Sequence, residues 1–354
     1  MAVKYILITF VNYFTKTLGM INIRETFLTL TKNTYPYEDE DDVIKLLPNF
    51  KFEKDEFGNY YIIVKKSDGT FSDNMFTSHL DTYHNVYRYA GGGKVKHVIK
   101  GDFIETDRTS NLGADDKAGM TIMLNMISEN VPGLYYFFIG EEAGAIGSTK
   151  LASSYTTLVE ENKLPKINRC ISFDRKGYDF VTTYQSNFRC CSDEFAKDLA
   201  NRLNEYGFWY KPDNNGGRTD SLQFVNDIQE CTNISVGYFE EHTIYERQDI
   251  EFLELLSVIL VKIDWDELPI NRKIEKRNLE KRKVYTTYYN NTNYNRPTTT
   301  STTVRNTSTP STTISTKTNP SSALSNINDE EFDIWYKEQK DKSWKLDGDK
   351  TLVN

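Results

Sequence analysis

Histidine is scarce in this chain, with 4 in 354 residues, and two of the four stand beside carboxylates at the ends of apolar runs. His79 and Asp81 follow the run 74–78, Glu141 and Glu142 follow 134–140, Asp174 follows 168–173, and His242 comes soon after 232–238. Asp115 differs in preceding a helical pattern, within Leu112-Gly113-Ala114-Asp115-Asp116-Lys117-Ala118-Gly119. Taken singly these are weak signals. A lone Glu-Glu pair is usually a solvated face, and a lone histidine near a strand end is usually just hydrogen-bonded. Together they are far more specific, because the carboxyl ends of strands in an open α/β sheet form its ligand crevice. Imidazole and carboxylate donors gathered there point to a metal site.

The segments resemble the motifs of the dinuclear zinc exopeptidases, which include peptidase T, the zinc carboxypeptidases and the bacterial leucyl aminopeptidases. The matching stretches are Ser78-His79-Leu80-Asp81-Thr82, the 112–119 run, Gly140-Glu141-Glu142-Ala143-Gly144-Ala145-Ile146-Gly147-Ser148, Phe173-Asp174-Arg175 and Glu241-His242-Thr243. They keep the family's order and span residues 78 to 243. The resemblance implies that Asp115 bridges two divalent metal ions, zinc with manganese or cobalt as substitutes, one also held by His79 and Asp174, the other by Glu142 and His242. It implies a peptide bond, or the amide of an acyl amino acid, as the target, and Glu141 as the general base that moves a proton from water to the departing amine. It also implies a cis peptide between Asp115 and Asp116. Asp81, two residues beyond His79 on an extended strand, leaves the same face and is expected to orient the imidazole. Gly216-Gly217-Arg218-Thr219-Asp220-Ser221 is similar to a segment near the substrate, with Arg218 or Asp220 as candidate contacts; a glycine turn closed by its own side chains fits it equally well.

The elements that must position these residues alternate. Strands are expected at 60–64, 74–78, 134–139, 168–173 and 232–237, and helices at 119–129, 192–206 and 250–262. That order predicts a three-layer α/β domain, with a mostly parallel sheet between helices on both faces. Residues 21–47 read as a helix, a polar interruption and a second short helix, whose acidic start Glu38-Asp39-Glu40-Asp41-Asp42 is expected to be solvated. Gly91-Gly92-Gly93-Lys94 lacks the spacing of a phosphate loop and reads as a hairpin turn. Asp174 and His242 are only 68 positions apart, which leaves no room for an inserted lid domain of ~50 residues or more. Among the compact relatives aminopeptidases prevail, so release of N-terminal residues is the favoured activity. A carboxypeptidase, a deacylase or other amidase, and a silent binding protein on the same fold are the alternatives.

Hydrophobic residues make up 38% of the chain, a low share that points to a polar segment outside the core. The C-terminal part supplies it. Residues 271–284 are basic, and 15 of the 21 residues from 298 to 318 are Thr or Ser, so 285–328 reads as a disordered linker. A short peptide at 329–354, with Phe332, Trp335 and Trp344 among charges, would follow it as a marginal helix or a docking element for a protein partner. The catalytic domain is expected at 20–270, after an N-terminal extension at 1–19 that carries no small-residue cleavage site. A net charge of −8 gives no electrostatic case for nucleic acid, and no apolar run approaches the ~20 residues of a membrane helix. The cysteines, Cys170, Cys190, Cys191 and Cys231, lack metal spacing and read as buried free thiols of a cytoplasmic protein.

Overall fold

The computed structural model describes residues 21–84 and 93–275. The expected extension at 1–19, Gly91 and Gly92 of the glycine turn, and the linker and terminal peptide lie outside the described residues.

In chain order the elements are α1 (Ile23–Leu30), α2 (Glu40–Ile44), β1 (Glu53–Lys54), β2 (Tyr60–Val64), β3 (Asn74–His79), β4 (His97–Lys100), β5 (Phe103–Thr106) and α3 (Ala114–Ser128). Then come β6 (Gly133–Phe138), α4 (Ile146–Glu160), β7 (Arg169–Arg175), β8 (Phe180–Thr182), β9 (Tyr184–Gln185), β10 (Phe188–Arg189) and α5 (Asp193–Asn204). The remainder are β11 (Lys211–Asp213), a 3-10 turn at Asp220–Phe224, β12 (Glu230–Ser235), β13 (Tyr238–Phe239), β14 (Arg247–Asp249) and α6 (Ile250–Leu260).

Eight strands form one sheet in the order β1-β2-β6-β3-β7-β12-β8-β11. Its centre, β6-β3-β7-β12, is parallel throughout. Every residue of β3, β6 and β12 is buried, as expected of strands covered on both faces. Alternate side chains serve two cores. Phe76, Tyr135 and Ile171 join α1, α3, α5 and α6 on one face, whereas Met75, Leu134, Cys170 and Cys231 join Leu151 and Tyr155 of α4 on the other. This is the three-layer architecture expected, and the span from Asp174 to His242 is used up by β8 to β13 and α5 with no added domain. The four cysteines are free and buried. No helix among the described residues is long and apolar enough to cross a membrane.

Two local expectations need correction, and two elements were not foreseen. Helix α3 starts at Ala114, not 119, with Gly113 in left-handed conformation before it and Asp115 and Asp116 non-helical inside it. Helix α4 had no periodic signal, because it buries only Gly147, Ser148, Leu151 and Tyr155 and exposes much of the rest. The acidic start of α2 is not wholly solvated: Glu40 is buried and its carboxylate accepts the N–H of Gly140 at 3.1 Å and of Glu38 at 2.7 Å. A second, antiparallel sheet, β13-β14-β5-β4, was also unforeseen, since its strands are short and partly exposed. At the far end packing runs to Arg272: Glu230 accepts the N–H groups of Asn271 (2.6 Å) and Arg272 (2.8 Å).

Helix α3 crosses β3 and β7 closely because of one glycine. A Cβ on Gly119 would lie 2.5 Å from the Asp116 carboxylate and 2.5 Å from the carbonyl oxygen of Phe173. Replacing a mid-helix glycine with alanine ordinarily gains about 1 kcal/mol. Here overpacking against a strand carbonyl costs about 1–3 kcal/mol and outweighs that gain. Gly119→Ala should therefore lower the melting temperature, while Gly217→Ala, with open space around it, should leave it unchanged. Thermal denaturation of both variants checks this.

Candidate metal centre

Parallel strands deliver their carboxyl ends to one edge, and five of the sequence-predicted residues meet there. His79 ends β3, Asp174 lies near the end of β7, Asp115 stands at the start of α3, Glu142 follows β6, and His242 lies between β13 and β14. Ligand atoms of His79, Asp115 and Asp174 all lie within 4.8 Å of one another, and so do those of Asp115, Glu142 and His242. Asp115 belongs to both groups.

The contacts explain how each is held. The Nδ1 of His79 lies 3.0 Å from the carbonyl oxygen of Asp81, which can only accept, so Nδ1 carries a proton. Its Nε2 faces Asp115 at 2.9 Å and Asp174 at 3.9 Å. The Asp81 carboxylate accepts the N–H groups of Glu141 and Glu142, each at 3.0 Å, and approaches His79 Nδ1 at 3.3 Å. One buried side chain thus fixes the β6 loop against β3. The buried Lys117 ammonium donates to the carbonyl of Leu80 at 2.6 Å, tying α3 to the same strand end. Asp116 lies beneath the centre. Its carboxylate accepts the N–H groups of Gly119 (3.0 Å) and His79 (3.3 Å), and its peptide bond to Asp115 is cis.

His242 sits in left-handed conformation at φ 63°, rare for a residue with a Cβ. The ring of Tyr83 stacks on its imidazole at 4.3 Å. Its Nε2 is 3.2 Å from Asp115 and 2.7 Å from Glu142 Oε1, yet neither His242 Nε2 nor Glu142 Oε1 has a hydrogen-bond partner.

The sequence reading missed the groups that hold Asp174. Tyr238 donates its hydroxyl to Asp174 Oδ1 at 3.1 Å, Thr219 donates to the other oxygen, and the Asn233 amide brackets the Asp174 backbone, accepting its N–H at 2.9 Å. Asn233 left a readable sign, a polar side chain within a buried strand, which demands a partner. Of the 216–221 segment it is Thr219 that touches the centre. Arg218 is exposed and donates to Gln223 at 3.2 Å, while Asp220 is buried with Oδ1 unpartnered. Glu241 already pairs with Lys176 at 2.7 Å. Glu246, also unforeseen, accepts three backbone N–H groups around Asp115.

The charge balance is lopsided. Burial would raise Asp115, but His242 and His79 beside it hold its carboxyl well below the usual range. Burial would likewise lower His242, and Asp115 and Glu142 outweigh it, lifting the imidazole to about 11. The other acids go the opposite way. Burial pushes Glu141 and Asp174 well above the carboxylate range, helped by neighbouring carboxylates, and takes Asp116 to about 8 and Asp220 to about 7. Among the described residues no lysine or arginine forms an ion pair with Asp115, Glu142 or Asp174. Buried carboxylates converging on two imidazoles, with no lysine or arginine paired to them, form a donor set that divalent ions would fit.

No protein-family model matches the chain. A segment of 89 residues is 42% identical to YqjE of Bacillus subtilis (strain 168), named as an uncharacterized protein; it covers 23% of this chain and 22% of that relative's length. In three dimensions the chain is similar to aminopeptidase PepT of Bacillus cereus, with a TM-score of 0.55 and 17% identity over 69% of this chain and 99% of that one. A tripeptidase of Staphylococcus aureus gives 0.54 and 17%, covering 69% and 98% of the two chains. The TET1 peptidase of Pyrococcus horikoshii gives 0.52 and 13%, covering 68% and 98%.

Asp81 is an exacting support, because both of its carboxylate oxygens receive a peptide N–H. Asp81→Asn would turn an NH2 toward one of them and leave a buried donor facing a donor, at a cost of about 1–3 kcal/mol. Chemical denaturation of chelator-treated protein should show that loss, and an unchanged midpoint would show that the staple contributes nothing. The fold on which these side chains converge is shared with the aminopeptidase of Bacillus cereus and the tripeptidase of Staphylococcus aureus.

Proposed function

We propose that the protein is a metal-dependent exopeptidase with a dinuclear centre, favouring removal of residues from the N-terminus of peptides. The observation that carries this reading is the sharing of Asp115 by two three-residue donor groups with Glu141 beside them. His79, Asp115 and Asp174 would hold one divalent ion and Asp115, Glu142 and His242 the other, zinc being the ion that suits these donors best. When bound, the ions would supply Lewis acidity to the scissile carbonyl and to water.

The chain's own residues supply the rest. Glu141 accepts a proton from the attacking water and returns it to the departing amine, a task for which a carboxyl raised by burial is suited. Asp81 acts through the backbone it holds, keeping Glu141 and Glu142 at fixed places relative to His79. Asp220, buried with one oxygen free, is the acid we assign to the substrate's amino group. Arg218, exposed at the adjoining turn, is the group that a substrate carboxylate would use instead. The aminopeptidase, the tripeptidase and the TET1 peptidase of the same fold support a peptide as substrate.

Three experiments test this reading. Exhaustive chelation should abolish peptide hydrolysis, and zinc, cobalt or manganese should restore it. Glu141→Gln should then keep two metal ions per chain while turnover falls by on the order of 10²–10⁴-fold. Loss of metal in that variant would mean that Glu141 and Glu142 have exchanged roles. Acetylating the N-terminus of a cleaved peptide should stop its cleavage. Cleavage that survives acetylation and stops on C-terminal amidation would assign Arg218 the decisive contact and make the enzyme a carboxypeptidase.

A further inference from the structure

The two donor groups share Asp115, so the geometry of the centre depends on where one loop is held. That loop, Leu112-Gly113-Ala114-Asp115, begins helix α3, and the first N–H groups of any helix lack partners within it. Gly113 at the N-cap has no side chain to accept them, and Asp116 caps only Gly119, further along. The N–H groups of the loop itself are satisfied from more than a hundred residues away. Glu246 Oε2 accepts the N–H groups of Leu112 (2.9 Å) and Gly113 (2.8 Å), and Oε1 accepts that of Asp115 (3.0 Å). The side chain is 1% exposed. It therefore spends both oxygens on backbone and keeps neither for substrate.

Where Glu246 stands in the chain gives the contact its meaning. It follows His242 by four residues and directly precedes β14, and its own N–H reaches back to the carbonyl of Thr243. The tight turn from His242 to Glu246 is thereby joined to the loop that carries Asp115. Resting on the dinuclear reading above, we infer that Glu246 is a positioning residue that sets the distance between Asp115 and His242, and so the affinity of the second metal position. That position draws two of its three donors, Asp115 and His242, from the segments that Glu246 joins, and the first draws only Asp115. Loosening the junction weakens the second position more than the first.

The test is metal titration of the full chain, stripped by chelation and refilled with zinc or cobalt. Three proteins are compared: wild type, Glu246→Gln, and Leu199→Ala, a core variant in α5 remote from the centre that reports general destabilisation. An amide at 246 keeps the side chain's shape but faces at least one peptide N–H with its own NH2. The inference expects two ions in wild type and in Leu199→Ala with like affinities. In Glu246→Gln the second ion should bind on the order of 10–100-fold more weakly, while the first is much less affected. Should Glu246→Gln not yield folded protein, Glu246→Asp, which retracts the carboxylate by one methylene, is read in the same way. Equal second-ion affinity in wild type and the Glu246 variant overturns the inference alone. So does an equal weakening of both ions that Leu199→Ala reproduces. Fewer than two ions in wild type instead overturns the dinuclear reading, and the inference with it.

Discussion

Burying acid at one edge of a sheet is the constraint on which this molecule turns. Asp81, Asp115, Asp116, Asp220 and Glu246 are almost inaccessible, and Glu141, Glu142 and Asp174 adjoin them. Removing a carboxylate from water is costly unless a donor or a cation meets it. The cluster answers that cost in two ways, and the division separates supporting residues from chemical ones. Asp81, Asp116 and Glu246 are met by peptide N–H groups. Asp115, Glu142 and Asp174 face imidazoles and one another, with charge left over for cations to balance.

The supporting acids share a mode of action. Four of the buried acids accept backbone N–H groups from segments distant in sequence: Asp81 from the β6 loop, Glu40 from Gly140, Glu246 from the start of α3, and Glu230 from Asn271 and Arg272. A charged acceptor makes stronger hydrogen bonds than a neutral one, and two oxygens let one side chain hold two or three peptides. Loops fixed in this way carry donor groups with little freedom, which suits a site whose atoms must lie within a few ångströms of each other. The left-handed φ of His242 fits the same picture, since a sparsely populated conformation persists only where its surroundings over-determine it.

Much of this could be read without coordinates. Strands β2, β3, β6, β7 and β12 stood out because apolar runs bounded by turn residues give them a strong signal, and α5 and α6 because their apolar residues recur with helical period. The donor residues stood out because scarce histidines and carboxylates sat at the ends of those runs. Helix α4 escaped because only a narrow part of it is buried, and β4 and β5 because a half-exposed strand of four residues has little pattern to show.

The sequence by itself determined the residue types able to bind metal and the strand ends that would carry them, because apolar periodicity and strand polarity are local properties. Only the tertiary structure decided what holds these donors in place: Thr219 rather than Arg218 or Asp220 against Asp174, and Glu246 under the Asp115 loop. Those pairings join residues as far as 134 positions apart, and a contact across such a separation leaves no mark on the pattern around either partner. The burial that shifts Glu141 and Asp174 toward neutrality is likewise a property of the assembled edge, created when four parallel strands end together.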